Sequence, residues 1–95
     1  MKKSIVQQDM NCCYFCGATR DLERHHIFGG AYRKKSEKLG LTVRLCHNCH
    51  NEPPGGVHHN AAQMLVLHQV GQQAAQEKYG WSNEDFIREF GKNYM

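Results

Sequence analysis

The sequence predicts a small α+β domain braced by metal, forming one unit over residues 1–95, and three observations carry that prediction. The chain has 95 residues, a length at which apolar packing alone gives a modest core and a metal or disulfides often complete the fold. Two Cys-x-x-Cys pairs, Cys13 with Cys16 and Cys46 with Cys49, offer four sulfurs at the spacing zinc uses. The pattern between and after them passes from brief segments of strand character to three- and four-residue periodicity, so strands come first and helices follow.

In chain order, residues 1–10 mix lysine, glutamine and an Ile5-Val6 pair without periodicity, which reads as a loose arm or a short edge element. The core is expected over about 12–79. Strand character falls at residues 22–28 and 41–45, and the basic stretch 29–40 between them reads as a loop or short helix. Asn51, Pro53, Pro54, Gly55 and Gly56 then break the chain. A long helix is expected over about 59–79, where Met64, Leu67, Val70 and Ala74 recur on one apolar face and Gly80 marks the end. A last helix, about 83–90 and at its widest 82–91, is signalled by Ser82 with Asp85 three residues on, a capping box, followed by Phe86, Ile87 and Phe90. Trp81 is expected to pack between these two helices. There is no internal repeat, low-complexity tract or linker.

Five cysteines are an odd number, no N-terminal stretch reads as a signal peptide, and no run is long enough to cross a membrane. A cytoplasmic protein with reduced thiols is expected, and there close-spaced cysteine pairs read as metal ligands before disulfides. The net charge of +3 is mild, but Arg20, Arg24, Arg33, Lys34, Lys35, Lys38 and Arg44 face only Asp21, Glu23 and Glu37 across the same segment. That local excess suits a polyanionic partner; the plainer reading is a solvated loop rich in lysine.

Cys13, Cys16, Cys46 and Cys49 would close a tetrahedral sphere with no position left for water, which makes the zinc structural. Cys12 could replace Cys13, but its Cys-x-x-x-Cys spacing suits the knuckle turn less well, and it reads as a spare thiol. The 29 residues from Gly17 to Leu45 exceed the interval of a compact zinc ribbon. The metal is thus expected to clamp the base of a strand–loop–strand excursion.

That excursion carries histidines. Six of the seven lie between His25 and His59. The runs Glu23-Arg24-His25-His26-Ile27, Leu45-Cys46-His47-Asn48-Cys49-His50 and Val57-His58 together resemble the HNH nucleases, in their zinc-stabilised branch. The resemblance spans about residues 13–60. Gly29-Gly30 and the ending Phe90-Gly91-Lys92-Asn93-Tyr94 are similar to small phage-encoded members, which implies a phage-infected bacterial host as one setting.

The resemblance implies a ββα-metal domain with additional C-terminal helices and an endonuclease that hydrolyses DNA phosphodiester bonds. His25 matches a metal ligand and His26 the general base, though neighbouring strand residues face opposite ways and the two assignments stay interchangeable. His50 and His58 match the remaining ligands, with His59 as a substitute for His58. A divalent catalytic ion, Mg²⁺, Mn²⁺, Ni²⁺ or Zn²⁺, is implied beside the structural Zn²⁺. Histidine suits the base because its pKa lies near the working pH, and a cation at the scissile phosphate stabilises the developing charge. Arg24, Arg33, Lys34, Lys35 and Arg44 are expected near the histidines, contacting phosphates with weak sequence preference.

Two departures stand out. His50 and His58 are eight residues apart where many members have four, so a loop must fold back. The family's middle asparagine would fall near Leu41-Thr42, where there is none. The rival reading is a non-catalytic zinc-knuckle module that binds nucleic acid. A zinc deaminase does not fit, because the required Pro-Cys-x-x-Cys would have to follow His50-Asn51-Glu52. DNA is the expected partner, no membrane is, and the oligomeric state stays open.

Overall fold

In the computed structural model, which describes residues 3–95, two strands form an antiparallel hairpin-like pair, β1 (Leu22–His26) and β2 (Thr42–Cys46). Leu22 lies opposite Cys46 and His26 opposite Thr42. Alternation along β1 puts Glu23 and His25 on one face and Arg24 and His26 on the other. The basic stretch between the strands is ordered: a 3-10 turn, Gly30–Tyr32, leads into α1, Arg33–Leu39.

β1 stops two residues short of the expected end for a definable reason. Ser36, fully buried in α1, accepts from the Phe28 amide (3.1 Å) and donates to the Phe28 carbonyl (2.8 Å), so Phe28 leaves the ladder and ties the strand's exit to α1. β2, buried along most of its length, is covered on its outer edge by the N-terminal arm. The Gln7 side chain accepts from the Arg44 amide (2.8 Å) and donates to the Cys12 carbonyl (2.7 Å), while the Tyr14 amide donates to the Arg44 carbonyl (2.8 Å). The described part of the arm, from Lys3 on, is therefore neither loose nor a strand; Met1 and Lys2 lie outside the described residues.

β2 runs directly into the one-turn α2, His47–His50, and a second 3-10 turn, Val57–His59, precedes the long α3, Ala61–Tyr79. α3 starts two residues later than expected because Asn60 is its cap, its side chain accepting from the Gln63 amide at 3.1 Å. α4 covers Asn83–Phe90 as expected, with the Ser82–Asp85 capping box formed in both directions. Trp81 is half-buried at the turn between α3 and α4, packed on Tyr79 with ring centroids 5.4 Å apart.

The core joins Ile27, Phe28, Leu41, Val43 and Leu45 to Leu67 and Ala75 of α3 and to Phe86 and Phe90 of α4. Each large side chain fully buried here stabilises the fold by about 1.5–3 kcal/mol relative to exposure. The buried stripe of α3 is rotated from the expected one: Leu67, Gly71, Gln72 and Ala75 are buried, while Met64, Val70 and Ala74 are only partly so. Gly71 explains the rotation, since a Cβ there would lie 2.8 Å from Ile27 Cγ2 and 3.1 Å from Phe28 Cε2. Its bare backbone lets the helix approach the residues that follow His26. Gln72, buried beside it, donates to the Asn93 side chain (2.8 Å) and accepts from the Tyr94 amide (2.8 Å), docking the C-terminal tail. Among the described residues no helix is long and apolar enough to cross a membrane.

Candidate metal centres

Two groups of side chains among the described residues are arranged so that they could hold a metal ion: Cys13, Cys16, Cys46 and Cys49, and His25, His50 and His58. In the first, all four sulfurs lie within 4.8 Å of one another, and Cys16 Sγ is 3.6 Å from Cys46 Sγ. Sulfurs about 2.3 Å from a tetrahedral zinc would be separated by about 3.8 Å, so the cage fits that ion. The Cys13 knuckle is shaped by its own backbone, with the Gly17 amide donating to the Cys13 carbonyl (2.9 Å) and the Cys13 amide to the Ala18 carbonyl (2.7 Å). Cys46 ends β2 and Cys49 follows on α2, bringing the second pair alongside.

Burial opposes ionisation of the Cys13 thiol, yet the amides of Cys16, Cys46 and Phe15 point at its sulfur and bring it down to about 6. Burial and the neighbouring sulfurs push Cys49 the other way. A dication at the centre of the cage would favour the ionised form of these thiols. Cys12 stands outside the cage, its sulfur 3.8 Å from the Asp9 carbonyl.

The histidine group opens onto a cleft of about 330 Å³ lined by Arg24, His25, His26, Arg33, Met64 and His68 together with His50 and His58. His25 Nδ1 lies 3.2 Å from His50 Nε2, which lies 3.0 Å from His58 Nε2. Nitrogens about 2.1 Å from one metal sit about 3.0 Å apart at right angles and about 3.4 Å apart at tetrahedral angles, so the spacing suits shared coordination with open positions left over. Burial, then the His50 and His58 rings, holds the pKa of His25 down at about 3, which keeps the ring neutral and able to bind a cation. Its other nitrogen, Nε2, is buried and has no hydrogen-bond partner among the described residues.

His50 is backed by a carboxylate that sequence reasoning did not single out. Glu23 Oε1 accepts from His50 Nδ1 (2.7 Å) and from the Asn51 side-chain Nδ2 (2.9 Å), while Oε2 faces His47 Nδ1 at 3.1 Å. Those contacts, His50 first, hold the Glu23 carboxyl below its usual range, so it is an acceptor only. His50 Nδ1 is thus the donor to Glu23, and Nε2 faces the other two imidazoles. A histidine tied this way to a carboxylate is the usual outer partner of a metal ligand. The available signal was period two along β1, which puts Glu23 on the face of His25.

The loop between His50 and His58 folds back tightly. The Gly56 amide donates to the Glu52 carbonyl at 2.7 Å, and a Cβ on Gly56 would lie 2.7 Å from that same oxygen. Val57, 2% exposed, anchors the following turn in the core. That anchoring decides between the neighbours: His58 joins His25 and His50, and His59 stays exposed outside the group. His68 was not foreseen either; it lines the cleft from α3, stacked on Phe28 with centroids 5.2 Å apart.

The basic residues separate into three places. Arg24 and Arg33 line the histidine cleft. Lys34 and Lys35 sit on the other side of α1 toward α4, where Lys35 Nζ meets the Glu89 carbonyl at 2.7 Å and its carboxylate at 3.2 Å. Arg44 lies opposite Arg24 in the strand pair, and both line a groove under the arm with Lys3, Ser4 and Gln7. The expectation that all five surround the histidines is thus corrected for Lys34 and Lys35, which α1 directs toward α4, while Arg44 adjoins the cleft through its strand partner Arg24.

Comparison with protein-family models, with curated proteins and with solved structures finds no match to this chain.

Proposed function

We propose that this chain is a metal-dependent endonuclease of the HNH kind, built on a ββα-metal arrangement and hydrolysing DNA phosphodiester bonds with weak sequence preference. One observation carries the reading: three imidazole nitrogens from β1, α2 and the Val57–His59 turn converge in a cleft whose wall includes a fourth histidine, His26. In this reading Cys13, Cys16, Cys46 and Cys49 hold a structural Zn²⁺, and His25, His50 and His58 hold a divalent catalytic ion. Bound there, that ion would supply positive charge to the scissile phosphate.

The chain's own groups account for the rest of the reaction. His26 accepts a proton from the attacking water as its oxygen bonds to phosphorus and the phosphorus–oxygen bond of the leaving group breaks. Arg24 and Arg33, on the rim of the same cleft, position the flanking phosphates. Ser36, by pinning Phe28, takes the loop-holding part that the family's missing asparagine would play.

The test incubates wild type and His26→Ala with supercoiled plasmid and with single-stranded DNA in Mg²⁺, Mn²⁺, Ni²⁺ or Zn²⁺. The expected result is nicking by the wild type and a loss of about 10²–10⁴-fold in the variant, with unchanged circular dichroism. Binding without nicking, at one zinc per chain, would instead support the non-catalytic zinc-knuckle module.

A further inference from the structure

Glu37 belongs to neither metal group, yet its carboxylate contacts His26. Its carboxylate meets the Arg24 guanidinium in a fork, Nε to Oε1 at 3.0 Å and Nη2 to Oε2 at 2.7 Å, and Oε1 also lies 2.9 Å from His26 Nε2. One carboxylate reaches both partners because Arg24 and His26 share a face of β1 and α1 packs against that face. The placement of α1 is fixed one residue earlier, where Ser36 holds both polar groups of Phe28. The Arg24 guanidinium, then His26, keep the Glu37 carboxyl down at about 2, so at neutral pH it is a carboxylate and can only accept. The proton between Oε1 and Nε2 consequently belongs to histidine. A neutral imidazole has one ring proton, which leaves the lone pair on Nδ1.

We infer that Glu37 is the positioning residue of His26: it fixes the Nε2–H tautomer and the ring's orientation, and thereby makes Nδ1 the atom that takes the proton from water. The second half rests on the nuclease reading; the first is a property of the folded chain. A carboxylate aligning the base this way acts on the chemical step and is read in kcat, while its fork on Arg24 acts on phosphate positioning and is read in KM.

Two measurements on the zinc-loaded protein test this. In ¹⁵N-histidine-labelled wild type, with the His26 signals assigned by their loss in His26→Gln, long-range ¹H–¹⁵N spectra should show Nε2 protonated and Nδ1 bare. Glu37→Gln should mix the tautomers and lower kcat on a short oligonucleotide by about 10- to 100-fold, with any rise in KM reporting the loosened Arg24 fork. Glu37→Asp, which keeps the charge, should recover part of both effects, whereas a merely structural role would lower the melting temperature and zinc content without moving the tautomer. Protonation of wild-type His26 on Nδ1, or an unchanged tautomer and kcat in Glu37→Gln, would overturn the inference. A wild type with the expected tautomer but no nicking in any metal would overturn the proton-accepting half and the nuclease reading together, while the Glu37–His26 alignment stands.

Discussion

Stripping metal from the sulfur cage should unfold the protein, and the size of the effect can be worked from the chain. The Cys16–Cys46 contact spans 30 residues; releasing a cross-link over a loop of that length returns roughly 4 kcal/mol of conformational entropy to the unfolded chain. Domains of this size have net stabilities on the order of 5–14 kcal/mol, so that loss alone removes a large share. The zinc–thiolate bonds add more, since structural zinc binding is itself folding free energy. With about 4–8 °C of melting temperature per kcal/mol, a drop of at least roughly 15 °C is expected. Residues 3–21 feel it first, because they contain no helix or strand and depend on the knuckle and a few bonds to β2. The assay is thermal circular dichroism with and without a strong chelator, alongside metal content by mass spectrometry, repeated on Cys49→Ser. A metal-free protein that melts cooperatively within a few degrees of the loaded one would refute the reasoning.

Two other outcomes follow from the same geometry. Glu23→Gln should weaken binding at the histidine site by about 10- to 100-fold, read by calorimetric titration of Mn²⁺ into zinc-loaded protein; equal affinity would mean that Glu23 does not orient His50. Gly71→Ala should be destabilising despite the roughly 1 kcal/mol that alanine gains in a helix, because its methyl would meet the buried Ile27 and Phe28 and overpacking costs about 1–3 kcal/mol. A urea midpoint that falls at constant slope would show this, and one that rises would show that α3 can shift.

Much of the fold was legible because its signals are local. The Ser82–Asp85 box placed α4, Cys-x-x-Cys spacing picked Cys13 over Cys12, and the eight-residue gap called for the loop that folds back before His58. The misses come from contacts distant in sequence. Nothing near Gln72 says that a polar side chain will be buried, since its partners Asn93 and Tyr94 lie at the chain's end. Gly71 reads as a helix weakness until Ile27 and Phe28 are set against it. The choice of His58 over His59 turns on which way Val57 is buried, and the placement of Lys35 on its meeting with Glu89. Glu23 and Glu37 carried no role of their own in the sequence: strand alternation put Glu23 on the face of His25, but its contacts with His47 and His50 come from α2, and only the packing of α1 brings Glu37 to His26.

The glutamine that caps β2 has a bearing on solubility. A two-stranded sheet ordinarily leaves a row of unsatisfied amides and carbonyls that can recruit a strand from another molecule. Here Ser4, Gln7 and Tyr14 occupy the Thr42 carbonyl and the Arg44 amide and carbonyl, standing in for a third strand without offering an edge of their own. Trimming the chain past Gln7 would therefore open a template for self-pairing on the element that carries Cys46, joining aggregation to loss of the sulfur cage.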